Sequence, residues 1–117
     1  MSTLTLISVC LSGQMLHDLK IAAFHRQMHL NNFCVTLLAK GLAKYDSEAL
    51  LPAEVRLSYL VPGQNELRSL TLSSELAQKA RALAYKNFIT TQVVIRYVLQ
   101  KELELHGVRP PFRNPTL

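Results

Sequence analysis

The chain has no tryptophan, two cysteines and four glycines in 117 residues. Cys10 and Cys34 stand in apolar surroundings with neither metal nor redox spacing, so two free thiols in a reducing compartment are expected. There is no Gly-rich phosphate loop, which removes the common nucleotide-binding classes. No stretch approaches the ~18 consecutive apolar residues of a membrane span. No Lys or Arg precedes Lys20, so the opening MSTLTLISVCLSG lacks the positively charged leading region of a secretory signal. These absences predict a soluble, cytoplasmic protein. No Ser/His/Asp, Cys/His or paired-carboxylate arrangement has supporting context, so no catalysis and no cofactor is expected. His25 and His29 lie four apart with no acid or thiol in register, which reads as two surface histidines rather than a metal site.

What remains is a globular composition, 49% hydrophobic and 18% charged, with a formal net charge of +5. The excess of Lys and Arg favours an anionic partner such as nucleic acid. The length suits one domain, or two half-size units sharing a core.

The chain contains one pattern twice. Leu6-Ile7-Ser8-Val9-Cys10-Leu11-Ser12 returns sixty-one positions later as Leu67-Arg68-Ser69-Leu70-Thr71-Leu72-Ser73. At the same offset Met15 falls on Leu76, Lys20 on Arg81, Phe24 on Tyr85, Phe33 on Val94, Leu38 on Leu99 and Leu42 on Leu103. Few pairs are identical, but the apolar positions coincide nearly throughout, the mark of a unit used twice.

Within each copy the period changes. Residues 4–11 alternate, with Ile7, Val9 and Leu11 on one face, as a strand does. Ser12 and Gly13 form a cap region before a helix over 14–28. His29 to Asn32 break the pattern, and either Asn31 or Asn32 can cap a second helix over 33–45. In the second copy a strand over 67–72 leads through Ser73, as N-cap, to a helix over 75–86. Thr90 or Thr91 caps a last helix over 92–106, whose inner stripe is Val94, Ile95, Val98, Leu99 and Leu103. The domain plan is a first unit over 1–45, a joint over 46–64, a second unit over 65–107 and an extended Pro-rich tail over 108–117. In the joint, Val55 to Val61 alternate and could form an extra strand or an extended linker. Phe24, Phe33, Tyr85 and Tyr97 fall at helical spacing and read as core. Lys79, Arg81, Lys86, Arg96 and Lys101 read as a solvated face.

A strand, a helix, a short capped bend and a second helix resembles the ribbon-helix-helix superfamily of the MetJ and Arc repressors. The resemblance is most specific over LTLSSELAQKARALAYKNFITTQVVIRYVL, Leu70 to Leu99, and covers most of the chain in two copies. Two copies in one chain are similar to the TraY-type conjugation proteins. The resemblance implies a mainly α fold with a short two-stranded antiparallel ribbon, the two tandem units forming one pseudo-dimeric domain. It also implies double-stranded DNA as the partner, with a role in transcription regulation or plasmid DNA transfer and assembly of further copies along the DNA. On that pattern Leu6, Ser8, Cys10, Leu67, Ser69 and Thr71 face base edges. Asn31, Asn32, Arg68, Thr90 and Thr91 contact phosphates, mostly through helix N-termini. None of the base-facing residues is an Arg, Lys, Asn or Gln able to make bidentate base contacts. That departure keeps a second reading open: a small interaction adaptor or antitoxin-like protein whose ribbon, linker or tail docks a protein partner.

Overall fold

The computed structural model describes residues 4–46, 49–52, 55 and 65–105. The order is β1 (Leu4–Ser12), α1 (Gly13–His25), α2 (Leu30–Leu42), β2 (Asn65–Ser73), α3 (Ser74–Lys86) and α4 (Thr91–Leu105). The described residues are thus mainly helical, with one two-stranded sheet and four helices. None of these helices is long and apolar enough to cross a membrane.

Both strands end in the same device. The Ser12 hydroxyl accepts from the Met15 N–H at 3.1 Å and the Ser73 hydroxyl from the Leu76 N–H at 3.2 Å. Each serine satisfies one of the orphan donors at a helix start and turns the chain directly from strand to helix. The ends of α1 and α3 also match. Met28 N–H reaches Ala23 carbonyl while Gln27 N–H reaches Phe24 carbonyl. Ile89 N–H reaches Ala84 carbonyl while Phe88 N–H reaches Tyr85 carbonyl. This paired bonding closes a helix through a left-handed residue, and here that residue is Gln27 (φ 55°) or Phe88 (φ 58°) in place of glycine. The first helix therefore stops at His25, short of the 28 read from periodicity, because the backbone reverses hand at Gln27.

The start of α2 departs from expectation. The helix begins at Leu30, its N-cap is His29, and no side chain caps it. Asn31 and Asn32 lie inside the first turn rather than before it, which moves the helix three residues upstream of the predicted start. The last helix begins after Thr90, whose carbonyl accepts from the N–H groups of Val93 and Val94.

β1 and β2 pair antiparallel, Leu4 opposite Ser73 through Ser12 opposite Asn65. In this register Ser8 lies opposite Ser69, its own counterpart in the repeat. The inner face carries Val9, Leu11, Leu70 and Leu72, all buried, against the helices. α4 occupies the middle of the molecule: every residue from Val93 to Leu99 is buried, and the helix packs on α2, α3 and β1. Leu38 and Leu99, equivalent in the repeat, are both fully buried.

α2 and α4 meet through an unequal pair. A Cβ on Gly41 would overlap Val98 Cγ1 and stand 3.0 Å from Glu102 Cγ, so only glycine fits there. Gly41 and Glu102 are the same position of the repeat, one emptied to receive the other. The buried Glu102 carboxylate pairs with Lys44 Nζ at 2.5 Å.

Several side chains lie elsewhere than their spacing implied. Arg96 is buried, not solvated, because the strand backbone gives its guanidinium an acceptor. Phe24 and Tyr85 are exposed, since both sit in the last turn of their helices on the side away from the core; Phe33 and Tyr97 are buried as expected. Lys101 lies over the Tyr97 ring, 5.7 Å from its centroid. The possible strand over 55–61 lies outside the described residues except for Val55, which is buried. The 108–117 tail lies wholly outside them.

Candidate nucleic-acid interface

Strand period two sends alternate residues of the ribbon outward. The centre of the outer face carries the pairs Leu6–Thr71, Ser8–Ser69 and Cys10–Leu67, with Leu4–Ser73 and Ser12–Asn65 on the same register at its two ends. Leu4, Leu6 and Leu67 are 69%, 70% and 68% exposed. Ser8 and Ser69 are exposed, while Cys10 and Thr71 are half-buried. All six expected base-facing residues therefore share one surface, and none of these side chains is charged.

In an antiparallel pair, alternate residues turn their N–H and C=O groups away from the partner strand, leaving open edges. Here the helices hold one residue on each edge. Asn31 of α2 accepts from the Thr71 N–H at 2.9 Å and donates to the Thr71 carbonyl at 3.4 Å. Gln92 of α4 accepts from the Cys10 N–H at 3.1 Å, and Arg96 donates to the Cys10 carbonyl at 2.6 Å. Cys10 is the counterpart of Thr71, and Gln92 the counterpart of Asn31. Each half of the chain thus holds the other half's strand through an amide at the same repeat position. Sequence reasoning missed Gln92 and Arg96. The amides aligned at 31 and 92 carried the signal for Gln92; nothing at Val35, the counterpart of Arg96, announced the second contact.

The expected phosphate-contacting residues are dispersed. Asn31 uses its side chain on Thr71, leaving the backbone N–H groups of the α2 first turn, which no side chain caps. Asn32 is exposed, and its carbonyl accepts from the Thr36 hydroxyl at 2.9 Å. Thr90 is exposed and Thr91, the first residue of α4, is half-buried. Arg68 lies on the inner register opposite Val9, half-buried, and its Nε has no hydrogen-bond partner among the described residues. Its positive charge acts on Cys34. Burial pushes that thiol up to about 12, and Arg68 partly offsets the rise. Cys34 is consequently a buried, neutral thiol, not a nucleophile.

His25 and His29 are both exposed. No group of three or more His, Cys, Asp or Glu able to hold a metal occurs among the described residues. A cavity of about 250 Å³ lies beside the joint, lined by Leu50, Pro52, Val55 and Phe88 among others. Asn87 fixes that wall: it accepts from the Leu51 N–H at 2.7 Å and donates to the carbonyls of Ala49 and Leu83.

The chain matches no family model, no curated protein and no solved structure.

Proposed function

We propose that the chain is a tandem ribbon-helix-helix protein, its two units forming one pseudo-dimeric domain that binds double-stranded DNA through the outer ribbon face. One observation carries this reading. The ribbon has an open face, and each of its edges is held at one residue, Cys10 by side chains of α4 and Thr71 by a side chain of α2. A partner that adds a strand needs an open edge. A major groove, which admits a two-stranded ribbon, needs an open face. The uncapped first turn of α2 and the start of α4 then offer N–H groups to flanking phosphates, with the net charge of +5 drawing the protein to the polyanion. The role that follows is transcriptional control or assistance in DNA transfer, with a near-symmetric site.

The test is a mobility shift on random duplex DNA across a salt series. Binding that weakens steeply with salt supports the reading. Ser69→Ala with Thr71→Ala should weaken a preferred duplex more than random DNA. Arg68→Ala separates two roles: a salt slope lowered by about one unit assigns its guanidinium to a phosphate. An unchanged slope makes Arg68 a packing residue on the inner face.

A second reading has its own support. Three exposed leucines on an uncharged face suit an apolar protein surface as well as a groove. If duplex DNA is not bound at low salt while Leu6→Ala abolishes capture of a defined protein partner, the face is a protein docking surface.

A further inference from the structure

The three central pairs of the outer face, Leu6–Thr71, Ser8–Ser69 and Cys10–Leu67, lack the side chains that make bidentate hydrogen bonds to bases, yet they are strongly patterned. Leu6 and Leu67 are repeat counterparts, as are Ser8 and Ser69, and Cys10 and Thr71. In the ribbon Leu6 lies opposite Thr71 and Leu67 opposite Cys10, on either side of the Ser8–Ser69 pair. Each end of the face thus presents one exposed leucine and one small hydroxyl or thiol. The single apolar feature in the major groove is the thymine C5-methyl group, and apolar side chains recognise it by contact.

We infer that Leu6 and Leu67 read thymine methyl groups, which makes the ligand an A·T-containing duplex recognised by shape and methyl contact rather than by a hydrogen-bond code. This deepens the DNA-binding reading and rests on it. The spacing is set by the ribbon. The Leu6–Thr71 and Cys10–Leu67 pairs are four residues apart along β1. At about 3.4 Å per strand residue that is roughly 14 Å, and at about 3.4 Å per base step it spans about four base steps. The two methyl contacts therefore fall about four steps apart, centred beneath Ser8 and Ser69, whose hydroxyls accept or donate to whichever base stands there. The +5 charge supplies the phosphate attraction that an uncharged face lacks. Leu4, whose counterpart is Asn65, extends the apolar stripe at one end only, so the two half-sites are unequal.

The experiment uses the full chain and alternating copolymer duplexes that differ in one methyl per pair: poly(dA-dT) against poly(dA-dU), and poly(dG-dC) against its 5-methylcytosine form. Each methyl contact is expected to contribute about fourfold, so removing two should weaken binding about fifteenfold at fixed salt. Methylating cytosine should strengthen binding in the same direction. Leu6→Ala with Leu67→Ala should collapse the dT/dU ratio toward one, costing more affinity for poly(dA-dT) than for poly(dA-dU). Both leucines are exposed, so the variant should keep its fold, checked by circular dichroism. Equal binding to dT and dU duplexes, with salt-dependent affinity intact, overturns methyl readout and leaves DNA binding standing. No binding to any duplex at low salt overturns both.

Discussion

Phe88 carries two liabilities at one position. It holds a left-handed backbone with a bulky side chain and leaves that side chain 88% exposed. A β-carbon is disfavoured there, and glycine is the usual solution. Phe88→Gly should therefore stabilise the fold by up to about 1 kcal/mol, read from denaturant midpoints. A loss of stability would mean that Phe88 is anchored by the joint around Leu50 and Pro52. Cys34 makes a second residue-scale prediction. Its thiol is held neutral by burial, with a folded value near 12 against an ordinary 9.0. Above pH 9 the unfolded chain releases this proton while the folded one keeps it, so stability is full below 9 and falls as pH rises toward 12. Cys34→Ala should flatten that decline relative to the parent, and Cys34 should resist alkylation at pH 8 until the chain is unfolded. Prompt alkylation of the native thiol would contradict the placement.

The elements are held together by one helix more than by the others. α4 is buried along Val93 to Leu99 and packs on α2, α3 and β1. Leu99→Ala should cost about 2–5 kcal/mol, because no neighbouring element can close the void without moving α4. Lys40→Ala, on the exposed side of α2, should change stability by less than about 0.5 kcal/mol. Equal effects in a denaturation series would mean that the buried face is misassigned. The ribbon depends on the helices in a different way. Asn31, Gln92 and Arg96 bond backbone groups of Cys10 and Thr71 that a lone two-stranded ribbon would leave to water, so α2 and α4 tie the strands into the fold.

At the scale of the molecule, the two halves are alike enough to pair and unlike enough to prefer each other. Glu102 lies where its counterpart is Gly41, and the glycine makes the room that the glutamate occupies. Two second halves placed together would set Glu102 against Glu102, with no space and two buried carboxylates. A fragment of residues 65–117 should therefore fail to form a stable homodimer, and Glu102→Gly should restore self-association. Sedimentation at several concentrations reads the outcome. A tight dimer of the unmodified fragment would show that the Gly41–Glu102 fit does not specify pairing.

The sequence by itself determined the elements and their duplication. Alternation at Ile7, Val9 and Leu11, the serine caps at 12 and 73, and the shared apolar offset are local signals, set by strand period, cap chemistry and helix period, and they need no knowledge of the fold. The faces of the ribbon were legible for the same reason, since strand period alone divides Ser8 from Val9. Tertiary structure decided where polar side chains go. Arg96 reads as a solvated cation and Asn31 as a cap, yet both turn to strand backbone from the other half of the chain, 86 and 40 positions removed. Such a side chain can satisfy either water or a distant carbonyl with equal local chemistry. Only the packing of α2 and α4 against the ribbon brings the carbonyl within reach and takes the water away.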